Sequence, residues 1–347
     1  MPVPLDLTPA ELADLLDDEP PYRARQVWRG LHQGLPPDEM TDLPKALRAR
    51  LAEVLPPGLS AARRSVSETG DTVKWLWALP SETPGGAAVE TVLMLYPRRA
   101  TVCVSTQAGC AMGCGFCATG QAGFRRHLSA GEIVEQVVHA RRAALPRRLS
   151  NVVFMGMGEP LANYAPTWAA VERFHDELGL SARHLTVSTV GLVPGIRRLA
   201  VERLPVNLAV SLHAANDAKR DQLVPINRRW PLGPLMDACR GWVEAKGRRL
   251  SFEWALIDGV NDRPSDAGEL AALARPLAAH VNLIPLNPTP GYPTRGTPPA
   301  AVAAFRDRLG ALGINATVRR NRGTDIDAAC GQLAVTTASQ LLSGPGR

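Results

Sequence analysis

The sequence predicts an α/β fold in which a partial (βα)6 barrel follows a small N-terminal helical accessory domain and a β-hairpin linker. Short apolar, β-branched runs recur from about residue 100, mostly ~25–45 residues apart, as expected for strands that alternate with helices. Runs such as 152–155 (VVFM) are apolar throughout, which is typical of parallel strands covered on both faces. The first part of the chain instead places leucines at helical spacing.

The front of the chain divides into two predicted segments. Residues 1–60 are expected to form the helical accessory domain, because their apolar residues recur every three or four positions between prolines. Residues 61–97 are expected to form the linker. Its β-rich runs 72–79 and 88–96 flank a loop of Ser, Pro and Gly, which predicts a hairpin that carries Glu90.

The rest of the chain is predicted to form the barrel, over residues 98–335, and a C-terminal tail, over residues 336–347. One barrel helix is well marked, since Ser129 and Glu132 form a capping box before an apolar stripe. Barrel strands are predicted at seven runs: 100–105, 151–155, 184–188, 206–212, 249–256, 281–286 and 316–319.

Composition and charge narrow the class of protein. Of the 347 residues, 45% are hydrophobic and 21% charged, which excludes disordered, collagen-like and coiled-coil chains. The net charge is +6, and residues 1–60 hold six Lys/Arg against ten Asp/Glu, so the remainder carries +10. A basic body fits an anionic partner such as nucleic acid. An arginine-rich composition that reflects GC-rich coding would produce the same charge.

The sequence also predicts the cellular compartment of the protein. Six cysteines are too few for a disulfide scaffold in a chain of this length. The N-terminus shows no basic segment followed by an apolar one, and the long uncharged stretches 276–294 and 328–346 are broken by prolines or rich in polar residues. We therefore expect a soluble, monomeric, cytoplasmic protein with reduced thiols and no membrane contact.

Ligands of such barrels bind at the carboxyl ends of the strands, so the residues that follow each strand are the candidates for a site. Small and polar residues stand at these places. They are Gly158 and Glu159, Ser188, the triplet Ser211, Leu212 and His213, and Asn287.

Three cysteines follow the first predicted barrel strand with the spacing C-x3-C-x2-C: Cys110, Cys114 and Cys117. In a reduced compartment this spacing indicates one metal centre. A zinc ion would need a fourth ligand, which His127 could supply. A 4Fe–4S cluster held by three cysteines would instead leave one iron open to a substrate. The glycines of the loop favour the cluster, because they let the backbone wrap closely around a bulky group.

Six segments together resemble the RlmN/Cfr family of radical S-adenosylmethionine (SAM) enzymes, which methylate an adenine of 23S ribosomal RNA. The cysteine spacing alone indicates the superfamily, whereas FMGMGEP and DIDAACGQL are specific to the family. The resemblance spans residues 89–333, and the helical front resembles the family's accessory domain, with a role in RNA contact. The segments are 109–124 (GCAMGCGFCATGQAGF), 154–160 (FMGMGEP), 211–214 (SLHA), 224–227 (VPIN), 282–290 (NLIPLNPTP) and 325–333 (DIDAACGQL).

The resemblance implies a radical SAM barrel, a 4Fe–4S cluster on the three cysteines, and two SAM molecules per turnover. It implies that one electron from the cluster cleaves SAM to a 5′-deoxyadenosyl radical. This route suits carbon 2 or carbon 8 of adenine, which lies between ring nitrogens and is a poor nucleophile. The SAM contacts would be Gly158, Glu159, Ser188, Ser211, Leu212, His213 and Asn287.

The resemblance also assigns catalytic roles. Cys330 would be methylated by the first SAM and then joined to the RNA through that carbon. Glu90 would be the base, and Cys103 the thiol that releases the product, leaving a Cys103–Cys330 disulfide. Without the resemblance, Cys103 and Cys330 read as small core residues and Glu90 as an exposed carboxylate. Cys239 has no counterpart and is expected in the core.

The resemblance implies 23S rRNA as substrate, and also the adenosine 3′ of the anticodon in some tRNAs. It further implies an electron donor such as flavodoxin or ferredoxin, and a dithiol reductant. Methylation at carbon 8, associated with antibiotic resistance, is the alternative to carbon 2. A zinc-stapled RNA-binding protein without activity is the alternative of another class. Either RNA contact or a solvated face would explain the arginines near the site: Arg125, Arg126, Arg319, Arg320 and Arg322.

Overall fold

The computed structural model describes residues 3–80, 86–289, 291–292 and 294–333, so the predicted tail 336–347 lies outside the described residues. The helices are α1 (Pro9–Leu15), α2 (Tyr22–Gln33), α3 (Lys45–Val54), α4 (Ala118–Gln121), α5 (Ala130–Ala144), α6 (Tyr164–Asp176), α7 (Val193–Val201), α8 (Asp217–Leu223), α9 (Leu232–Lys246), α10 (Pro264–Ala274) and α11 (Pro299–Ala311).

The strands are β1 (Ser60–Val66), β2 (Thr72–Leu79), β3 (Ala87–Leu95), β4 (Ala100–Cys103), β5 (Gln107–Gly109), β6 (Phe124–His127), β7 (Leu149–Phe154), β8 (Leu185–Thr189), β9 (Asn207–Ser211), β10 (Ser251–Leu256), β11 (His280–Pro285) and β12 (Ala316–Val318).

One ten-stranded sheet organises the molecule, in the order β1-β2-β3-β4-β7-β8-β9-β10-β11-β12. Strands β4 and β7 to β12 pair in parallel, and all seven coincide with the predicted barrel runs. Each of β4, β7, β8, β9, β10 and β11 is followed by at least one helix before the next strand of this sheet. The predicted partial barrel of six βα units is therefore confirmed.

The linker differs from the prediction. The predicted hairpin is present as β2 and β3, but β1 adds a third antiparallel strand and β3 pairs directly with β4. Strand β1 (SAARRSV) has almost every side chain exposed, so it lacks the apolar alternation by which a strand is recognised in sequence. Because the sheet runs without interruption into the barrel, the division at residues 97 and 98 stays a prediction.

The helical front packs on the barrel through specific polar contacts. Helix α1 begins with a capping box between Thr8 and Glu11. The Asp6 carboxylate accepts a hydrogen bond of 2.6 Å from the backbone N–H of Gly131, at the start of α5. The indole Nε1 of Trp28 donates to Glu177 at 2.8 Å. Among the described residues, every helix is too short or too polar to traverse a bilayer.

A buried amide joins helix α5 to the sheet. The predicted capping box of Ser129 and Glu132 starts this helix. One turn further on, Gln136 Oε1 accepts hydrogen bonds from Thr91 Oγ1 at 2.8 Å and from the Ser105 N–H at 2.9 Å. Its Nε2 donates to the Ser105 carbonyl at 2.9 Å. The middle of β3 and the segment after β4 are therefore held to one helix.

We expect Gln136→Leu to lower the free energy of unfolding by about 2–4 kcal/mol, because the buried N–H and carbonyl of Ser105 would lose their partners. Chemical denaturation of the apoprotein followed by circular dichroism would measure the change. Ala143→Gln, at an exposed position of the same helix, is the matched control and should leave the midpoint unchanged. An equal effect of both substitutions would contradict the role of this amide.

Candidate active site

A cavity of about 990 Å³, its mouth included, lies at the carboxyl ends of the parallel strands. Its walls include residues from β7 at one side to the segment after β12 at the other, so the sheet curves around it. The predicted site residues that line it are Cys110, Cys114, Cys117, Gly158, Glu159, Ser188, Ser211, His213, Asn287 and Cys330.

Three predicted residues lie elsewhere. Leu212 is fully buried behind the wall, and its N–H donates to the Glu253 carbonyl at 3.0 Å. Cys103 borders a second cavity, which shares Met155, Arg319 and Cys330 with the first. Glu90 lies on β3 and is nearly buried.

The cysteine loop begins with a short turn formed by β5 and β6. Gly109 has a φ of +73°, and a Cβ there would lie 1.9 Å from the Gly123 carbonyl oxygen, so only glycine fits. That carbonyl accepts a hydrogen bond of 2.9 Å from the N–H of Cys110. The two short strands were not predicted, because three or four residues carry no measurable period.

The donor set fits an iron–sulfur cluster. Three thiols line one cavity, and burial raises the pKa of Cys110 to about 12, with smaller contributions from Glu159 and Cys117. Burial also raises the pKa of Cys114, and the other two cysteines of the loop add to it. Thiolates in such a place need a positive partner, which the iron of a cluster supplies. The cavity extends past the thiols to Gly158 and Ser188, which leaves room beside them.

The position of His127 does not favour a zinc site. This residue lies on β6, where its Nδ1 is 3.0 Å from Nε2 of Gln107 and its ring is 5.0 Å from the ring of Phe124. It is not among the residues that line the cysteine cavity. Within the described ranges, no group of three or more His, Cys, Asp or Glu side chains is arranged to hold a single metal ion.

Glu159 is buried at the cavity wall and organises two loops. Its Oε1 accepts a hydrogen bond from the N–H of Leu161 at 3.0 Å, and its Oε2 accepts one from the N–H of Val190 at 2.9 Å. Burial raises the pKa of Glu159 to about 7, although these hydrogen bonds favour the charged form. The preceding Gly158 has a φ of +97°, and a Cβ there would lie 2.5 Å from Gln107 Cβ.

His213 is held as a neutral ring. Its Nδ1 accepts a hydrogen bond of 3.0 Å from the N–H of Ala255, and its ring packs edge-on against Phe116 at 4.8 Å. Burial, with a smaller effect of Arg220, lowers the pKa of His213 to about 3. The side chain therefore acts as an uncharged wall of the cavity.

Arg220 is a structural residue that the sequence reasoning missed. Its buried guanidinium donates to the carbonyl oxygens of Leu212 at 3.1 Å and Val190 at 2.6 Å, and to Asn227 Oδ1 at 2.7 Å. It thereby satisfies carbonyls that follow β8 and β9, beside the predicted SAM contacts. The VPIN segment was the available signal, since Asn227 belongs to it.

The loop that carries Cys330 is bound to the cavity rim. Asn287 Nδ2 donates to the Cys330 carbonyl at 3.0 Å, and the N–H of Ala118, next to the cysteine loop, donates to the Gly331 carbonyl at 2.8 Å. Thr119 Oγ1 donates to the Leu333 carbonyl. Asn287, predicted to contact SAM, thus also positions the backbone of Cys330.

All six cysteines lie in the described part of the chain and are free thiols, so the predicted Cys103–Cys330 disulfide is not present in this structure. The physical reason is that Cys103 is held in β4 and Cys330 in a separately anchored loop. The two are close enough to interact, because Cys330 adds to the effect of burial that raises the pKa of Cys103 to about 12. Cys239 is fully buried in α9, as expected.

Two charged side chains, Arg319 and Glu253, also line the first cavity. The sequence did not indicate that they lie together there. Arg319 lines both cavities, and its Nη1 lies 3.9 Å from the sulfur of Met155. It is the charged neighbour that lowers the pKa of Cys103 against the effect of burial. Glu253 accepts hydrogen bonds from Ser251 and from Asn282, and burial raises its pKa.

The arginines proposed for RNA contact divide into two groups. Arg126 forms a two-point ion pair with Glu132, at 2.6 and 2.8 Å, and Arg322 pairs with Asp71 at 2.7 Å. Arg126 and Arg322 therefore have structural partners, and Arg319 lines the two cavities. Arg125 and Arg320 are exposed.

Glu90, the predicted base, forms an ion pair of 2.9 Å with Lys74 of β2. The side chain of Glu90 is 6% exposed, so the exposed carboxylate expected without the family resemblance is not what the structure shows. The Glu90 carbonyl accepts a hydrogen bond from Ser105 Oγ at 2.6 Å, which ties β3 to the segment after β4.

The stability of the apoprotein should depend on pH through Glu159. Its folded pKa of about 7 is above the ordinary value of 4.5. The contribution of this group is therefore fully present below about pH 4.5 and is lost as the pH rises towards 7. Relative to Glu159→Gln, which cannot ionise, wild type should lose on the order of 3 kcal/mol across this window.

Denaturation of both proteins at several pH values between 4.5 and 8 would measure the difference. Glu244→Gln, at an exposed position of α9, is the control and should follow wild type. A constant difference between wild type and Glu159→Gln would contradict the expected burial of the carboxyl group.

Comparison with known proteins places the chain in a family. The model of the Radical SAM superfamily matches residues 104–271. The model of the ribosomal RNA large subunit methyltransferase N-terminal domain matches residues 5–56. These matches cover the cysteine loop and the part of the barrel from the segment after β4 into α10, and the three front helices.

Similar proteins extend the match to most of the chain. A "Probable dual-specificity RNA methyltransferase RlmN" of Chloroflexus aurantiacus is 53% identical over 95% of this chain and 92% of its own length. A protein of the same name from Parafrankia sp. is 53% identical over 94% and 92%. The crystal structure of a radical SAM methyltransferase from Sphaerobacter thermophilus matches with a TM-score of 0.91 and 52% identity, over 95% of this chain and 98% of that one. The chain therefore belongs to the RlmN family of radical SAM RNA methyltransferases.

Proposed function

We propose that this protein is a cytoplasmic enzyme that methylates carbon 2 of an adenosine in the peptidyl transferase centre of 23S rRNA, and the adenosine 3′ of the anticodon in some tRNAs. One observation carries the proposal. Cys330 stands at the boundary of two cavities, one lined by the three-cysteine loop and the other by Cys103. A methyl group on this sulfur could be activated on one side and released on the other.

Membership of the radical SAM superfamily implies a 4Fe–4S cluster and SAM, two molecules per turnover. When bound, they supply a methyl cation equivalent and a carbon-centred radical that removes hydrogen. We assign Cys110, Cys114 and Cys117 to the cluster. The remaining wall would hold SAM, through Gly158, Glu159, Ser188, Ser211, His213 and Asn287.

The role of Glu159 follows from its surroundings. The carboxylate already accepts two backbone N–H groups, so its position is fixed before a ligand arrives. An ammonium group at the open face of this carboxylate would favour its charged form and offset the cost of burial. Leu212 has no free polar group toward the cavity, and its contribution would be to hold the wall between Ser211 and His213.

Cys330 would carry the methyl group and then the RNA. Its thiolate takes the methyl group of the first SAM, loss of one hydrogen leaves a radical on that carbon, and the radical adds to the adenine ring. The carboxylate of Glu90 then takes the proton of the substituted ring carbon, and the one unpaired electron of the adduct would return to the oxidised cluster, so that the aromatic ring is restored. The RNA stays joined to the enzyme through the Cys330 sulfur and the new carbon.

Release of the product would use Cys103. Its thiolate attacks the Cys330 sulfur, so that an S–S bond forms and the bond between that sulfur and the methylene carbon breaks. The carbon keeps the electron pair and takes a proton, which completes the methyl group. An external dithiol would then reduce the Cys103–Cys330 bond, and a flavodoxin or ferredoxin would supply electrons. Arg319 lowers the pKa of Cys103 against the effect of burial, and so favours the thiolate that attacks.

The RNA would approach from the cavity mouth. Arg125 and Arg320 are exposed, and the N-terminal helices match the N-terminal model of the ribosomal RNA methyltransferase family. Guanidinium groups at these places could neutralise phosphates or stack on splayed bases. The division into an RNA-contacting domain 1–60, a linker 61–97 and a barrel 98–335 is part of this proposal.

Electron paramagnetic resonance tests the class of the reaction. Anaerobically reconstituted and reduced protein should give a 4Fe–4S signal that changes when SAM is added. Stoichiometric zinc without such a signal would instead support an RNA-binding protein without activity. Chromatography of the modified nucleoside against both standards then distinguishes carbon 2 from carbon 8, the alternative that the same residues could serve.

We expect Cys103→Ala to form the covalent RNA adduct on Cys330 and to fail to release it, because the attacking thiol is missing. Denaturing gel electrophoresis with labelled RNA, followed by peptide mass spectrometry, would detect the adduct. Cys239→Ala removes another buried thiol, which lies in α9 and lines neither cavity, and should release product at the wild-type rate. Free methylated RNA at a normal rate from Cys103→Ala would exclude Cys103 from the mechanism.

A further inference from the structure

Strand β2 and the turn that precedes it are bound to the loop that carries Cys330 at three places. The Asp325 carboxylate accepts a hydrogen bond of 2.8 Å from the N–H of Glu68, and Arg322 pairs with Asp71. The third contact is from Lys74, whose Nζ donates to the Asp327 carbonyl at 3.0 Å. The hairpin is therefore part of the wall that positions Cys330.

Lys74 differs from the other two contacts because it also reaches Glu90. Its Nζ is 2.9 Å from Glu90 Oε1, and the side chains are 13% and 6% exposed. A single ammonium group thus joins the carboxylate on β3 to the backbone three residues before Cys330.

Strand register places the contact between Lys74 and Glu90 on the face of the hairpin that borders the second cavity. Glu90 pairs with Leu76, two residues from Lys74, so both charged side chains leave the same face of the hairpin. Val92 leaves the same face of β3 and lines the second cavity together with Cys103 and Cys330. Trp77 and Thr91 point to the other face, toward helix α5.

We propose that Lys74 is a positioning residue of the methylation reaction: it keeps Glu90 ionised and aimed at the substrate carbon, and it links that carboxylate to the Cys330 loop. The proposal rests on the proposed function, because it concerns the step in which Glu90 takes the ring proton. It adds a residue to which the family resemblance assigned no role.

The charge of Lys74 supports this role. A carboxylate that is almost buried is costly unless it has a charged or hydrogen-bonding partner, and a cation within about 3 Å favours the ionised form, which is the form able to accept a proton. The other charged or titratable groups on this side are Tyr96 after β3, Cys103 of β4, Arg319 and Arg320 after β12, and Cys330 with Asp327 in the loop. Arg322 and Asp71 pair with each other at its edge.

The hydrogen bond from Lys74 to the Cys330 loop has a second consequence, which concerns release of the product. When Glu90 takes the proton, the C–H bond of the ring carbon breaks and an O–H bond forms on the carboxyl group. Glu90 is then neutral and no longer forms an ion pair with Lys74. The hydrogen bond from Lys74 to the Asp327 carbonyl remains. Lys74 would then hold the Cys330 loop in place for the attack by Cys103.

The test isolates the proton-transfer step from the release step. In the Cys103→Ala background, RNA that carries deuterium on the target carbon is supplied, and mass spectrometry measures how fast adduct without deuterium accumulates. The rate is measured from pH 6 to pH 9. Four proteins are compared in this background: the parent, Lys74→Met, Lys74→Gln and Lys74→Arg.

With Lys74→Met we expect a rate at least about tenfold lower at pH 7, because a nearly buried carboxyl group that has lost its cation resists ionisation and would be mostly protonated at this pH. The rate relative to the parent should recover as the pH rises. Lys74→Gln keeps hydrogen-bond donors without the charge and should show the same shift, whereas Lys74→Arg should restore the parent profile. Methylation of Cys330 should be normal in all four.

Each outcome decides one question. A parent-like pH profile for Lys74→Gln, with Cys330 methylated, would overturn the role of Lys74, even if Lys74→Met failed to fold. A parent protein without methylated Cys330 and without any adduct would instead overturn the proposed function. Lys45→Met, at an exposed position of α3, is the matched control and should match the parent at every pH.

Discussion

The position of the Cys330 loop depends on hydrogen bonds from three separate parts of the chain. Asn287 after β11 holds the Cys330 carbonyl, Ala118 beside the cysteine loop holds the Gly331 carbonyl, and Lys74 of the hairpin holds the Asp327 carbonyl. The loop has no long helix or strand of its own, only a short 3-10 turn at Thr324–Ile326. Its geometry therefore comes from its partners, and any change in the barrel rim or the hairpin would move the sulfur.

Two buried charged groups of the site are paired with backbone groups at the strand ends of the barrel. Glu159 accepts backbone N–H groups of two loops, and Arg220 donates to backbone carbonyls of two others. Such groups would be costly without these bonds. With these hydrogen bonds made, the two side chains hold the strand ends that border the cavity at fixed distances from one another.

The sequence predicted the sheet well because its signals are local. Each parallel strand is a short apolar run bounded by turn residues, and each was found within a few residues of its predicted bounds. The strands that were missed lack that signal. Strand β1 has polar or small residues on both faces, and β5 and β6 are too short to show a period.

Spacing along the chain, and likeness to a family, identified the cysteines, the strand-end residues and Cys330, because these signals lie within a few residues of one another. The sequence by itself determined the order of the strands along the chain and the side chains that follow each one. Only the tertiary structure showed that Lys74 contacts the Asp327 carbonyl, 253 residues away in the chain, and that Arg319 lines both cavities beside Cys330. Such pairings depend on how the sheet curves and which edge the last loop reaches. Hydrophobic periodicity determines which face of an element is buried, but it does not determine which distant polar group meets another there.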